Sequence, residues 1–230
     1  MVHATSLTID DFSQPNIGQS ISVTGTGSVS STTDGLTGVI GGARTMRISV
    51  LTSDFGLRSS LNVSGSGEGT LSLGNDSGQN GVGTVIWDAN GEGLGGIDLT
   101  NGGTLPYLQS RILASDLDLG FRIDITETAA EGGSTAFWTT NLGPGVSYVN
   151  QLLANFNNSA NVNFSKVDKI VLTLSGPFAQ DATLDNLEVT NTLGAASVPE
   201  PLTLLSVFAS VSGLGAYISR RRLSAKSVTA

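Results

Sequence analysis

The stretch Asp116-Leu117-Asp118-Leu119-Gly120-Phe121-Arg122-Ile123-Asp124-Ile125-Thr126 decides the fold class. Apolar residues occupy every second position from Leu117 to Ile125, and mostly polar residues lie between them. Successive side chains of a β-strand point to opposite faces, so this alternation predicts a strand with one buried and one solvated face. Such strands are typical of antiparallel sheets.

Similar segments lie on both sides of this strand, and turn residues separate them at intervals of about ten residues. The other predicted strands are Leu7–Phe12, Ile21–Val29, Arg47–Thr52, Leu57–Val63, Thr70–Leu73, Val82–Trp87, Gly95–Leu99, Ser134–Thr140, Val167–Ser175 and Thr183–Val189. The turn residues of Asp54–Gly56 predict a hairpin between the strands on either side. For Val146–Phe156, helical and strand spacing fit equally well. About nine to eleven short strands indicate an all-β protein, an antiparallel β-sandwich of the jelly-roll type.

Composition and net charge argue against some classes of stabilising bond and binding partner. The chain has 230 residues, 30 of them Gly, and no Cys, so no disulfide can stabilise the fold. The part before Val198 contains 18 acidic and 7 basic residues, a net charge of −11, whereas the remainder carries +3. Nucleic-acid binding requires Lys and Arg to neutralise phosphates, so an acidic body argues against a nucleic-acid partner.

The residue inventory also limits the chemistry. Without Cys, and with His3 as the one histidine, the chain cannot build a Ser-His-Asp or Cys-His relay or the usual zinc site. A glycoside hydrolase with two carboxylates remains an alternative. Its candidate acids are Asp116, Asp118 and Asp124, or Asp10, Asp11 and Asp185. Acids that alternate along an exposed strand are more typical of edge protection than of catalysis, so we predict a protein without enzymatic activity.

Aromatic side chains are the candidates for sugar binding, because their rings can stack on a pyranose. Four are considered: Trp87, Tyr107, Trp138 and Tyr148. Trp and Tyr are also commonly buried with one polar end hydrogen-bonded. Trp138 lies in a central-looking strand and is assigned to the core, while Trp87 and Tyr107 are predicted as ligand-binding residues.

The two ends of the body share a pattern with a known fold. Ile9-Asp10-Asp11-Phe12 and Leu184-Asp185-Asn186-Leu187 resemble the first and last strands of carbohydrate-binding-module-like jelly rolls. The resemblance implies that these strands pair and close the sandwich. It also implies a calcium site where they meet, which would fall on Asp10 or Asp11 and on Asp185, because calcium takes carboxylate and carbonyl oxygens.

The C-terminal residues 198–230 form a separate three-part segment. Pro199-Glu200-Pro201 is followed by the uncharged run Leu202–Ile218 and then by Arg220-Arg221-Arg222. About 17 helical residues span about 25 Å, near the lower limit for crossing a bilayer. The arginines favour the cytoplasmic side and would stop the helix there. This pattern predicts one transmembrane helix at residues 202–218. The alternatives to a role in sorting are a plain C-terminal membrane anchor and a buried helix of a soluble domain.

The order and spacing of these three parts resemble the PEP-CTERM sorting signal of exported bacterial proteins. The resemblance implies recognition of Pro199-Glu200-Pro201 by an exosortase, an integral-membrane enzyme that cuts near the motif, after transient anchoring in the inner membrane. Export through Sec-type machinery requires an N-terminal signal, and Val2-His3-Ala4 matches the end of one, which makes residues 1–4 a predicted signal remnant; an ordinary N-terminus is the alternative. We therefore expect a β-sandwich domain at 5–190, a linker at 191–197, and a cell-surface or extracellular location.

Two functions compete for the body, a polysaccharide-binding module and a purely structural matrix component. A row of exposed aromatic residues on one face would favour the first. A surface made only of Ser, Thr and Asn would favour the second.

Overall fold

Thirteen strands form in the part of the chain that the computed structural model describes, residues 5–13, 18–53, 56–64 and 69–193. They are β1 (Ser6–Asp10), β2 (Gln19–Thr24), β3 (Gly27–Asp34), β4 (Ala43–Ser53), β5 (Arg58–Val63), β6 (Leu71–Asn75), β7 (Gln79–Trp87), β8 (Tyr107–Ser115), β9 (Leu119–Glu127), β10 (Thr135–Leu142), β11 (Tyr148–Leu152), β12 (Val167–Ser175) and β13 (Asp181–Thr190). The helices among these residues are short 3-10 turns: Ile40–Gly42, Ala89–Gly91, Ala129–Glu131, Leu153–Asn155 and Ser159–Asn161.

The strands are arranged in two antiparallel sheets. The seven-stranded sheet has the order β11-β8-β13-β6-β5-β2, and β1 pairs with residues 187–190 of β13, beyond the residues that pair with β6. The six-stranded sheet has the order β10-β9-β12-β7-β4-β3. Apolar side chains from the inner faces of both sheets pack into one core. The predicted all-β, antiparallel sandwich is therefore confirmed.

The strand that predicts the fold is β9, and it begins at Leu119 rather than Asp116. Leu119, Phe121, Ile123 and Ile125 are fully buried, as their alternation predicts. Leu117 is 37% exposed, because it lies in the turn before the strand. In that turn the Ser115 hydroxyl donates to the carbonyl of Leu117 at 2.7 Å. The polar neighbours of Leu117 therefore lie in a turn and not along a strand face.

The first and last strands pair, as the jelly-roll resemblance implies. Ser6 lies opposite Thr190, and Thr8 lies opposite Glu188. Beyond β13 the chain remains attached to β1, because the amide of Asn191 donates to the carbonyl of Thr5 at 3.2 Å. The first residue of the predicted linker 191–197 is thus hydrogen-bonded to the sandwich.

Several local predictions were wrong. The segments around Asp54–Gly56 do not form a hairpin, because β4 pairs with β3 and β7 while β5 pairs with β2 and β6 in the other sheet. The predicted strand Ile21–Val29 is two strands, since Gly25 and Gly27 have positive φ angles and redirect the chain between the sheets. Gly95–Leu99 forms one isolated bridge instead of a strand.

Two further segments are settled by the structure. Val146–Phe156, for which helix and strand remained open, contains strand β11 and a 3-10 turn. Strand β8 was not among the predicted strands, because the inward position at Ser110 interrupts its apolar pattern.

The predicted N-terminal remnant (1–4), the sorting motif Pro199-Glu200-Pro201, the helix 202–218 and the arginines Arg220, Arg221 and Arg222 lie outside the described residues. Within the described ranges, no helix has the length and apolar character needed to cross a membrane.

Candidate functional site

Trp87, predicted to bind a ligand, lies in the core with no exposed surface. It is the inward-facing last residue of β7. Its indole Nε1 donates to Oδ2 of Asp10 at 2.9 Å. A ring without exposed surface cannot stack on a polysaccharide, so this prediction was wrong. Its burial follows the common pattern in which a Trp ring packs in the core and its N–H meets a buried acceptor.

The three acids predicted to hold calcium do not converge. Asp10 is buried and hydrogen-bonded to Arg44, whereas Asp11 accepts a hydrogen bond from the amide of Ser13 at 3.0 Å. Asp185 pairs with Arg111 at 3.0 Å, at a partly exposed position. Within residues 5–13, 18–53, 56–64 and 69–193, no three acidic or histidine side chains group as metal ligands. The geometry therefore does not fit a calcium ion on Asp10, Asp11 and Asp185.

Burial changes the pKa of the Asp10 carboxyl. Desolvation raises its pKa, and the neighbouring Arg44 guanidinium, the Trp87 indole and the Phe12 amide each lower it by a smaller amount. The net direction is upward from the ordinary value of 3.8. Burial of a carboxylate thus outweighs even a direct cationic partner here.

The acids considered for glycoside hydrolysis are dispersed as well. Asp116 and Asp118 lie in the exposed turn before β9. The carboxylate of Asp116 accepts hydrogen bonds from the Asp181 amide at 2.8 Å and from Gln180 Nε2 at 3.2 Å. Asp124 lies on the outer face of the six-stranded sheet and accepts two hydrogen bonds from Arg122. Asp116 and Asp124 thus each have a local structural partner.

Tyr107 and Tyr148, by contrast, share the outer face of the seven-stranded sheet. Tyr107 is the first residue of β8 and Tyr148 the first residue of the neighbouring β11. Tyr148 lies directly opposite Arg111, four positions along β8 from Tyr107. At about 3.4 Å per residue, the two tyrosines are separated by roughly 14 Å along the strands. Both side chains are partly exposed.

Polar residues fill the space between the two tyrosines. Asn150, Gln109 and Glu188 face one another in a row across β11, β8 and β13. Nε2 of Gln109 donates to Oε1 of Glu188 at 3.1 Å, which fixes both side chains. We call this surface the tyrosine platform; it consists of Tyr107, Gln109, Arg111, Tyr148, Asn150 and Glu188.

The platform continues into a recess at the edge of β1. This recess has a volume of about 260 Å³, and its lining includes Ser6, Gln109, Glu188 and Thr190. Hydroxyl, amide and carboxylate groups therefore point into the same space. The hydroxyl and amide groups can donate and accept hydrogen bonds and the carboxylate can accept them, which matches the hydroxyl groups of a sugar.

An apolar groove of about 470 Å³ lies beside Tyr107 on the β11 side of the platform. Its lining includes Leu105, Pro106, Leu153 and Phe164. It also includes Leu152, which pairs with Tyr107 across the β11–β8 ladder. None of its lining side chains carries a charge. The groove can accept an apolar surface but offers no acid or base for chemistry.

The other half of the same outer face differs in character. Its outward residues on β6, β5 and β2 include Ser72, Ser60, Asn62, Ser20 and Ser22, according to the register of these strands. This half contains small polar side chains without an aromatic ring. The aromatic surface of the sheet is thus concentrated on β8 and β11.

Trp138, which was assigned to the core of a central-looking strand, lies on the edge strand β10 and is partly exposed while it packs against the core. Its ring packs against Phe121 and Phe156, with centroids 6.0 and 6.3 Å away. Sequence reasoning considered Tyr148 but did not connect it with Tyr107, because β8 was not among the predicted strands. The alternation of Tyr107, Gln109 and Arg111 with Leu108 and Ile112 is the signal that could have found this face.

Comparison with known proteins gives low-similarity matches among solved structures. The chain is similar to a family 11 carbohydrate-binding module from Clostridium thermocellum in complex with a β-1,3-1,4-mixed-linked tetrasaccharide, with 15% identity over 85% of this chain and 99% of the module and a TM-score of 0.42. It is also similar to TmCBM61 in complex with β-1,4-galactotriose, with 11% identity over 63% of this chain and 86% of the other, and a TM-score of 0.36. An exo-β-agarase matches at 14% identity over 64% of this chain and 23% of the enzyme, with a TM-score of 0.40.

No model of a known protein family matches the chain, and no curated protein matches it. At the low identity of the structural matches, the choice of ligand has to be argued from the residues on the chain's own surface.

Proposed function

We propose that this chain is an exported, non-catalytic protein whose jelly-roll body binds an extracellular polysaccharide across the tyrosine platform. The observation that carries this proposal is the placement of Tyr107 and Tyr148 on one face, about 14 Å apart along the strands. Tyr combines an apolar ring with a polar tip, so each ring can stack on a sugar while its hydroxyl remains hydrated.

The polar residues of the platform suit such a ligand. Gln109 and Glu188 are held by their mutual hydrogen bond, and Asn150 lies beside them in the same row. Binding sites commonly combine apolar contact area with a few fixed polar groups that set orientation. A row that crosses three strands and opens into a recess offers a long surface, which fits a polymer better than a small molecule.

The net charge of the body supports a neutral polymer. A charge of −11 before Val198 repels polyanions over a distance set by the ionic strength. On the platform, Arg111 is paired with Asp185 and Glu188 adds a further negative charge. We therefore expect neutral exopolysaccharide to bind more tightly than uronate-rich polymer.

The C-terminal sequence supports the exported location. We propose that Pro199-Glu200-Pro201 is read by an exosortase after Sec-type export, that residues 202–218 anchor the chain transiently in the inner membrane, and that Arg220 to Arg222 hold the cytoplasmic end. The processed protein would then reside at the cell surface or in the extracellular matrix.

Affinity electrophoresis of the full chain through gels that contain a neutral β-glucan, a galactan or alginate tests the binding proposal. We expect retardation by a neutral polymer. Tyr107→Ala and Tyr148→Ala should each weaken binding about tenfold or more, since truncation of an aromatic anchor commonly costs more than 1 kcal/mol. Phe178→Ala is the matched control, because Phe178 is 48% exposed but lies in the loop between β12 and β13.

A purely structural matrix component remains the second candidate. The Ser- and Asn-rich half of the seven-stranded sheet favours it, because that half carries no aromatic side chain in the rows from β6 to β2. Full-length protein that migrates identically with and without every polymer, while unfolding cooperatively, would favour this second function over the first.

A further inference from the structure

The carboxylate of Asp10 lies where the first strand meets the last, in the position for which the jelly-roll resemblance implies calcium. Asp10 is paired with Leu187 of β13 and faces the interior. A cation bound by Asp10 must coordinate an oxygen of this side chain. The hydrogen bonds of the two carboxylate oxygens therefore decide whether Asp10 can bind a metal ion.

Both oxygens of Asp10 are fully engaged by protein donors. Oδ1 accepts from the amide of Phe12 at 2.8 Å and from Nη1 of Arg44 at 3.0 Å. Oδ2 accepts from Nη1 of Arg44 and from Nε1 of Trp87, both at 2.9 Å. An ionised carboxylate offers about four lone-pair positions, and these four contacts use them.

Arg44 itself is built into the interior. It is the second residue of β4, and no part of its side chain is exposed. Its Nε donates to Oε1 of Gln19 at 3.2 Å, and its guanidinium carbon lies 5.9 Å from the centroid of the Phe12 ring. An arginine cannot lose its proton in a protein, so a permanent positive charge lies beside Asp10.

We propose that the Arg44 guanidinium replaces a structural calcium ion at this junction. It neutralises Asp10, links β1 to β4 of the other sheet, and makes folding of the domain independent of divalent cations. Asp185, the partner that calcium would need from the last strand, is paired with Arg111 instead. Two arginines thus occupy Asp10 and Asp185, two of the three carboxylates of the predicted calcium site. This proposal does not rest on the polysaccharide-binding function.

Thermal unfolding of the full chain with excess calcium and with excess EGTA is the first test. We expect the Tm values in calcium and in EGTA to agree within about 1 °C, because the Arg44 guanidinium already neutralises Asp10 and calcium adds no stability there. A bound structural ion would instead raise the Tm by several degrees. Such a rise, or calcium retained at one ion per chain after purification, would overturn the proposal.

A rescue experiment tests the role of Arg44 directly. Arg44→Met leaves Asp10 buried without a cation, so its Tm should fall steeply. The double variant Asp10→Asn/Arg44→Met removes both charges and should recover a large part of the loss. If the second substitution recovers nothing, Arg44 is not the cation that neutralises Asp10.

A conservative variant and a control pair make the rescue experiment interpretable. Arg44→Lys retains a positive charge and a donor, and it should fold with a Tm between those of the wild type and Arg44→Met even if the latter fails to fold. The exposed pair Arg122 and Asp124 is the matched control. Arg122→Met and Asp124→Asn should show little coupling, because an exposed pair contributes little to stability.

Discussion

Trp87 donates its indole hydrogen to the carboxylate of Asp10 at 2.9 Å, across 77 positions of the chain. The bond connects β7 of the six-stranded sheet to β1 of the seven-stranded sheet. Both residues have no exposed surface. The contact therefore holds the two layers of the sandwich together near the junction of the first and last strands.

Trp87→Phe should lower the free energy of unfolding by about 1 to 3 kcal/mol, because it keeps most of the ring but removes a donor from a buried carboxylate. Urea denaturation followed by far-UV circular dichroism measures this loss. Trp138→Phe is the control, since the Trp138 ring packs on Phe121 and Phe156 at the edge of the core. Equal losses in the two variants would contradict a specific role for the hydrogen bond.

The case of Trp87 shows what sequence patterns can and cannot settle. Alternation in β9 correctly predicted the inward residues, because period-two burial is a local property of a strand. The partner of Trp87 lies 77 positions away and could not be read from local spacing. A Trp before the loop Asp88-Ala89-Asn90-Gly91 fits a surface ring and a buried one equally well until the opposite sheet is known.

Sheet membership was unpredictable for a related reason. Strands β4 and β5 have the alternation and the turn residues of a hairpin, yet they lie in different sheets. Local sequence specifies that a strand forms and which face is buried. Its partners depend on which other edges are available, and β4 already has β3 and β7 on its two sides. The same limit separated Tyr107 from Tyr148 in sequence analysis, since their proximity depends on the β8–β11 pairing.

Gly69 lies against the backbone of Phe12 and Ser13, so closely that a Cβ atom at position 69 would overlap both residues. Gly69→Ala should therefore reduce stability by about 3 kcal/mol or more, because backbone atoms cannot move aside as a flexible side chain can. Differential scanning calorimetry of the full chain measures the change.

Gly143→Ala provides the control for Gly69→Ala. A Cβ at Gly143 would meet only Oδ1 of Asp118, at 3.8 Å, which is an ordinary contact. We expect its effect on stability to remain within about 1 kcal/mol in either direction. A similar, small change for both glycines would show that the approach of Gly69 to Phe12 is not a constraint on the fold.

Asp98 organises the loop before Tyr107 through three hydrogen bonds. It accepts from the hydroxyl and amide of Thr100 at 2.7 and 2.8 Å and from the amide of Gly102 at 2.8 Å. The Thr100 hydroxyl, followed by the Gly102 amide, lowers the pKa of Asp98 below its ordinary value of 3.8. Ionised Asp98 therefore stabilises the folded state relative to the unfolded chain.

This contribution is fully present above the unfolded-state pKa and is lost as the pH falls through the lowered pKa of the folded state. Asp98→Asn should thus be less stable than the wild type at neutral pH, and the difference should shrink in strong acid. Urea midpoints measured from neutral pH down to about pH 2 check this. Asp118→Asn, an exposed acid in another turn, controls for net charge, and a difference that is constant with pH would contradict the assignment.

The sorting proposal predicts that one substitution outside the sandwich changes location without changing stability. Glu200→Ala removes the single charge between Pro199 and Pro201, so processing should fail while the body keeps its Tm. Deletion of Arg220 to Arg222 should likewise leave the chain unprocessed.

Immunoblots of membrane and extracellular fractions from an exosortase-containing host measure the size of the chain and its delivery to the surface. Glu131→Ala, an exposed acid in the turn between β9 and β10, should be processed normally. Because a plain anchor would depend on the apolar run and not on Glu200, unchanged size and surface delivery for the Glu200 and arginine variants would favour an anchor over an exosortase signal.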